Sequence, residues 1–397
     1  MTDTPPASLL PARLMTHMHV LCKEIGPRPP TSEQERRAAE YVKTTLRQLE
    51  LEDIVEQPFK SHFTLGQHAL PFCIANTLAL PLGWLLGVPG KWLGSAVSFW
   101  GLYEAWKFLA GRPPVYQSII ARRQSQNIIA RLPPAGPIRR QLFLVGHLDT
   151  QKNRFLTPPP NPALMKPQTT LMLSLPLIAG LGLLSEALRQ KRGVSAWQLL
   201  VEACMLLTTL GLGSEETHAH IEGANDNATA VSILLSVAEA LRAAPLQNTE
   251  VVLLFTGCEE LLCVGMENYL REFRPPHENT YWLDLEMVGT GDLCYVTKHG
   301  VSPISEYAPA PEMVKLAEIT AHRHPELKVT GKDMLILEEV ANLRRYGYNA
   351  LCLAGYNAKG YLPNWHRYSD NLEHIEPETL GRAASYTWAL MKTIDVL

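Results

Sequence analysis

The sequence predicts an α/β fold, a sheet covered by helices on both faces. Two observations carry this. Apolar runs of strand length recur along the chain, among them "RQLFLVGHLD" and "TEVVLLFTG", and a strand without polar alternation is one buried on both sides. Between these runs lie longer stretches with apolar residues at helical spacing. Strands alternating with helices build a sheet with a helix layer on each face.

The elements follow in order. The first 50 residues read as helical. "SEQERRAAEYVKTTLRQLEL" starts on a capping signal, Ser32 with Glu35 three residues on, and Ala39, Tyr41, Val42, Leu46 and Leu49 form its apolar stripe. "GPRPP" before it is a rigid turn. "SQNIIARLP" and "RQLFLVGHLD" are strands. "NATAVSILLSVAEALRAA" is a helix that Asn225 or Asn227 would cap. "TEVVLLFTG" is a buried strand, with a helix expected from about Glu259 to Phe273. "TYWLDLEMVG" and "LCYVTK" are strands, "PEMVKLAEITAHR" and "LEEVANLRRYG" helices, "NALCLAG" a strand, and "PETLGRAASYTWALMKTI" the closing helix. No repeat of solenoid period is present.

Composition narrows the partners. The chain of 397 residues has 36 Lys plus Arg against 39 Asp plus Glu, a formal net charge of -3. That balance gives no basic field and argues against nucleic acid. The 7 cysteines are scattered without a CxxC pair, which reads as reduced thiols. "MTDTPPASLLPARLMTHM" lacks a basic region followed by an apolar one, so no cleavable signal peptide is expected.

Two insertions interrupt the α/β pattern, 61–110 and 164–215. The stretch from Ser61 to Gly90 is uncharged, "WLGSAVSFWGLY" follows Lys91, and Pro167 to Ser185 is again uncharged. "VSAWQLLVEACMLLTTLGLG" carries only Glu202. These read as two apolar helical hairpins, each segment near the roughly 20 residues that a membrane span needs. Pro71, Pro81, Pro89 and Pro176 interrupt them. The expectation is membrane association, integral or peripheral, with a cytoplasmic location as the alternative; buried core helices are the plainer reading, and the second hairpin, just after Asp149, would lie beside the cleft as a lid, an anchor or both. Basic residues stand at both ends of the hairpins, so charge sets no orientation.

In open α/β sheets, sites form beyond the carboxyl ends of strands. His147 and Asp149 follow "LFLVG", and Glu259 and Glu260 follow "VVLLFTGC". Asp284 and Glu286 lie two apart in "YWLDLEMVG", hence on one face. Asp226 stands at a helix start in "GANDN", and His366 and Asp370 in the loop "NWHRYSD". Two histidines and a set of carboxylates at element ends are the ligand set of a hydrolytic metal site. Each alone has a plainer structural reading: a loop hydrogen bond for a lone His, a cap for an acidic pair or Asp-Asn at a helix start. His218 and His220, just before "GANDN", read as surface-loop residues.

The order "GHLDT", "GANDNATA", "TGCEE", "LEMVG", "WHRYSDN" resembles the co-catalytic two-zinc aminopeptidase family, the clan MH metallopeptidases with their glutamate carboxypeptidase and glutaminyl cyclase branches. The likeness extends to "GPRPPTSEQERRAAEYV" and "SQNIIARLP" but omits the hairpins. It implies one zinc-peptidase domain over 1–397, a three-layer αβα fold with a mixed, mostly parallel central sheet. It implies two Zn2+ per chain. By this resemblance His147 matches a ligand of the first metal, Asp149 the carboxylate that orients it, and Asp226 the bridge between metals. Glu259 matches the general base, Glu260 and His366 the ligands of the second metal, and Asp370 a supporting partner.

One position departs from the family. Its last first-metal ligand is usually Asp before Met, an aliphatic residue and Gly; here that register holds Glu286, with Asp284 as second choice. Ala230 also stands where the family often has glycine. The implied activity is hydrolysis of the N-terminal peptide bond of peptides with a free N-terminus, by a metal-bridging water with Glu259 as base. The alternatives are a glutaminyl cyclase-like acyl transferase using one zinc, or an inactive membrane-associated relative. Such relatives lose ligands, whereas this chain keeps a candidate at each ligand position.

Overall fold

The computed structural model describes residues 6–397; Met1–Pro5, within the stretch read for a signal peptide, lie outside the described residues. The helices are α1 (Pro11–His19), α2 (Glu33–Gln48), α3 (Gly66–Leu85), α4 (Gly87–Leu109), α5 (Met165–Leu188), α6 (Ala196–Glu215), α7 (Thr229–Ala243), α8 (Val264–Phe273), α9 (Pro311–Arg323), α10 (Val340–Arg345) and α11 (Pro377–Asp395). The strands are β1 (Ile54–Ser61), β2 (Arg123–Leu132), β3 (Arg140–His147), β4 (Thr249–Thr256), β5 (Thr280–Glu286), β6 (Asp292–Lys298), β7 (Val329–Asp333) and β8 (Asn349–Tyr356). They form one sheet in the order β1-β2-β4-β3-β5-β8-β6-β7. The central strands β4, β3, β5 and β8 run parallel; β2 on one side and β6 with β7 on the other run opposite to them, and β1 pairs antiparallel with β2. The mixed, mostly parallel α/β architecture expected from the sequence is therefore borne out.

Alternation along the strands divides the core into two layers. Leu142 and Leu144 of β3, with Val251, Leu253 and Phe255 of β4, face α1, α2, α7, α9 and α11. Phe143 and Val145, with Val252 and Leu254, face α8 and α10. On that second side Phe143 stacks on Trp282, ring centroids 3.8 Å apart. Residues 284 and 286 share the side of Trp282 by the two-residue period. Helix α7 presses close on the end of β3: a Cβ at Gly146 would lie 2.6 Å from the Ala230 methyl. Glycine before His147 thus permits the approach.

Three local readings differ from the structure. Strands β1 and β7 were not anticipated: "IVEQPFKS" and "VTGKD" are polar and lie at the sheet edges. Ser61, taken as the start of the first apolar segment, ends β1. The helix expected from Glu259 is a short turn, Glu259–Leu261, followed by α8; Cys258, Leu262 and Cys263 all take left-handed conformations around it.

The insertions form four long helices of 20, 23, 24 and 20 residues, α3 to α6. At 1.5 Å per residue each is about 30–36 Å long, the thickness of a bilayer core. Helix α3 packs on α4 and α6, and α4 on α5, while α5 and α6 meet in a smaller cluster of Leu175, Ala179, Leu183, Val201 and Met205. Pro71, Pro81 and Pro176 lie inside these helices. The tips meet through a buried pair, Lys91 Nζ 2.6 Å from Glu186 Oε2. Glu186 also accepts from Ser195 Oγ and Gln198 Nε2, and Lys91 donates to the Lys191 carbonyl. Buried charge is tolerable when paired and hydrogen-bonded in this way. Helices α3, α5 and α6 are long and apolar enough to cross a membrane.

Candidate metal centre

The carboxyl ends of the four parallel strands bring the sequence-selected residues together. His147 ends β3, Glu259 and Glu260 follow β4, Glu286 ends β5, and the loop after β8 supplies His366. Asp226 comes from the irregular turn Ala224–Ala228 ahead of α7, where its backbone is non-helical and the Asp226-Asn227 peptide is cis.

Asp226 stands between two groups. Its Oδ1 lies 3.1 Å from His147 Nε2, and its Oδ2 lies 3.4 Å from His366 Nε2. On one side His147 Nε2 is 3.7 Å from Glu286 Oε1, and on the other His366 Nε2 is 3.0 Å from Glu260 Oε2. Two compact trios result, His147–Asp226–Glu286 and Asp226–Glu260–His366, sharing one carboxylate. Glu259 belongs to neither; its Oε2 lies 3.8 Å from His147 Nε2, and Cys263 Sγ donates to its Oε1 at 3.2 Å.

The supports are specific. Asp149 accepts from the backbone N–H of Glu259 at 3.0 Å and of Glu260 at 3.1 Å, so it fixes the glutamate turn, while its Oδ1 lies 3.6 Å from His147 Nδ1. Asp370 accepts from the N–H of Asn225 and Asp226, at 2.6 and 3.1 Å, and so holds the Asp226 turn. Asn227 donates to the Leu285 carbonyl and to Glu286 Oε2, and its Oδ1 accepts from the Ala230 N–H in the manner of a cap. His218 Nδ1 donates to the Asn153 carbonyl of the neighbouring loop at 2.9 Å, and His220 pairs there with Lys152; neither joins the trios.

Two supports were not singled out from the sequence. Arg28, in "GPRPP", is buried and donates to the carbonyls of Leu21, Gly26, Leu148, Glu222 and Gly223, tying both site loops together. Glu35, read as a helix-capping residue, accepts from Ser125 Oγ and from the N–H of Thr31 and Cys258. A second buried acid cluster was also missed. Asp284, Glu338 and Cys352 lie together beneath the trios, and Glu338 takes His299 at 2.6 Å and the Tyr307 hydroxyl at 3.0 Å. Asp284 thus sits in this cluster, whereas Glu286 faces His147. The signal available was the second "EE", Glu338-Glu339, directly after the apolar run "MLIL".

The electrostatics are those of a site short of cations. Burial pushes the carboxyls of Glu259 and Glu260 up, and that of Glu286 to about 8. Burial works against charge on His366, yet Glu260 and Asp226 hold it up at about 9. The same contest raises His147 well above the ordinary range, with Glu286, Asp149 and Asp226 outweighing burial. Protons taken up by a buried His–carboxylate cluster mark positions where metal charge would serve. His147 Nε2 and Glu260 Oε1 are buried without a hydrogen-bond partner among the described residues. These donor sets fit zinc, which takes imidazole and carboxylate.

A cavity of about 400 Å³ opens from the cluster. Asp226, Glu259, Glu260, Glu286 and His366 form its polar end, and its walls come from α4, α5 and α6 with Trp365 and Leu362.

Residues 208–391 match the model of Peptidase family M28. No curated protein matches the chain. The chain is similar in structure to a zinc aminopeptidase from Bacillus subtilis, with a TM-score of 0.57 and 14% identity, over 96% of this chain and 95% of that one. It is similar to a leucine aminopeptidase precursor from Bacteroides thetaiotaomicron, with a TM-score of 0.55 and 15% identity over 96% of each chain. A glutaminyl cyclase from the same organism gives a TM-score of 0.56 and 15% identity, over 96% of this chain and 97% of that one. At such identities these likenesses speak for the fold. The resemblance drawn from the motifs is borne out by the family match and this shared fold.

Proposed function

We propose that the chain, whose residues 208–391 match the model of Peptidase family M28, is a zinc-dependent exopeptidase, an aminopeptidase acting on peptides with a free N-terminus. The observation that carries this reading is the shared carboxylate: Asp226 serves two trios of ligand type, with Glu259 left over beside them. His147, Asp226 and Glu286 would hold one Zn2+, and Asp226, Glu260 and His366 a second. Zinc bound by these residues would supply Lewis acidity, enough to polarise a carbonyl and lower the pKa of water.

The remaining work falls to protein groups. The water that attacks the scissile carbonyl gives its proton to Glu259, which returns it to the leaving amine. Cys263 steadies the Glu259 side chain, and Asp149 sets the direction of both glutamates through their amides. We assign 1–397 to one peptidase domain, with the hairpins as insertions that enter lipid. Their length, their apolar outer surfaces and the pairing of charge at their tips support that assignment.

The test is turnover of aminoacyl 4-nitroanilides with free and acetylated amines, beside cyclisation of an N-terminal glutamine peptide, with zinc per chain measured. The expected result is cleavage of free-amine substrates at two zincs per chain. Cyclisation without cleavage, at one zinc, would replace this reading with the cyclase-like one. Two zincs with no turnover would leave the inactive relative.

A further inference from the structure

The cavity wall comes from the inserted hairpins, and that wall is open on one side. Helices α5 and α6 pack mainly on α4 and α3, and meet each other toward the tips, where Leu175, Ala179 and Leu183 join Val201 and Met205. Leu171 of α5 and Leu207 of α6 both line the cavity, yet they are 49% and 69% exposed on the outer surface of the bundle. A narrower pocket of about 30 Å³ continues between α3, α5 and α6 and shares Met172 and Thr208 with the main cavity. The cavity that reaches the carboxylates thus comes to the outer surface of the bundle at Leu171 and Leu207, by a largely apolar passage. Beside Leu207 on α6, Leu206 and Leu210 are exposed apolar side chains as well.

We infer that this passage is a side entrance for an aliphatic chain, and that the substrate is an amphiphilic peptide whose N-terminal residue carries such a chain, drawn from lipid. The inference rests on the aminopeptidase reading and names its substrate class. Size favours it. At roughly 30 Å³ per heavy atom, the share of one water in the liquid, 400 Å³ holds roughly a dozen heavy atoms. That exceeds a leucine side chain severalfold. Polarity favours it too, since the charged groups of the cavity gather at one end while its walls are mostly apolar, with Gln168, Thr169 and Thr208 as uncharged exceptions. A chain seated there puts the amide of its own residue beside Glu259. Hydrolysis consumes one water, breaks that amide bond, and releases the lipidated amino acid and a peptide shortened by one residue.

The test is a series of 4-nitroanilides of linear 2-amino acids, from alanine to 2-aminododecanoic acid, on the full chain in detergent. Each methylene buried is expected to raise kcat/KM roughly fourfold until the cavity fills, so the 2-aminooctanoyl substrate should exceed alanyl by at least about a hundredfold. Leu207→Trp, which narrows the entrance, should lower that long-to-short ratio; Leu171→Trp on the facing helix repeats the test if the first variant misfolds. Substrate held in phosphatidylcholine vesicles should remain cleavable. A flat or falling chain-length profile overturns the inference while leaving the aminopeptidase reading intact. No cleavage of any member overturns both. Vesicles that protect the long substrate overturn the lipid route.

Discussion

Replacing Asp149 by asparagine separates positioning from chemistry. Asp149 presents one oxygen to the Glu259 amide and the other to the Glu260 amide, at 3.0 and 3.1 Å. Asparagine keeps one acceptor and turns an NH2 group toward the other amide, so two donors face each other in a site where Asp149 is fully buried. A hydrogen bond to a charged group contributes about 1.5–3 kcal/mol, and an orphaned buried amide costs about 1–3 kcal/mol. Because these overlap, the expected loss is about 3 kcal/mol of stability. The glutamate turn would also shift, and a misplacement near 1 Å costs about a hundredfold in rate. Asp149→Asn should therefore fall in denaturation midpoint at unchanged m-value and lose about a hundredfold in anilide turnover. Full stability with turnover within twofold of wild type would refute the role given to Asp149.

Two further outcomes follow from the same structure. In metal-stripped protein, Glu35, Glu286, Glu339 and Asp370 have carboxyls raised by burial to about 8. The folded state then binds more protons than the unfolded one, so stability is full below the ordinary carboxylate range and falls as pH rises through about 8. Melting scans from pH 5 to 9 with a chelator should show that fall, and added zinc should reverse it at the alkaline end; a rise with pH in stripped protein would count against the cluster. Ile178 and Leu181 lie outside the bundle on the middle of α5. The protein should float with phosphatidylcholine vesicles, and Ile178→Lys with Leu181→Lys, at about 2.5–3.5 kcal/mol per charge at a span centre, should weaken that; wild type staying in the soluble fraction without detergent would end the membrane reading.

The central strands were legible because burial on both faces writes an unbroken apolar run, as in β3 and β4. The edges β1 and β7 were not, because an edge strand keeps polar residues and, in β1, admits Pro58. The residues of the trios could be picked out because each stands just beyond a strand or at a helix start. Their supports were harder. Arg28 acts through backbone carbonyls, which no side-chain pattern advertises. Glu35 looked like a surface cap, and it does close one, its own N–H meeting Ser32 Oγ at 3.2 Å, while its carboxylate reaches Cys258 from the other direction. Glu338 and Glu339 lie in a segment that reads as an amphipathic helix, yet α10 starts only at Val340 and leaves both acids buried. The break before α8 depends on left-handed Leu262 and Cys263, residues without a local preference for that conformation.

The division of labour between the adjacent glutamates is the core of the account, and Glu259→Gln tests it most directly. Glu259 lies outside both trios, so the variant should still load two zincs per chain while its turnover of free-amine anilides falls by about 10²–10⁴-fold, the range of a lost general base. Retention of full activity would contradict the account, and so would loss of one zinc, which would make Glu259 a ligand.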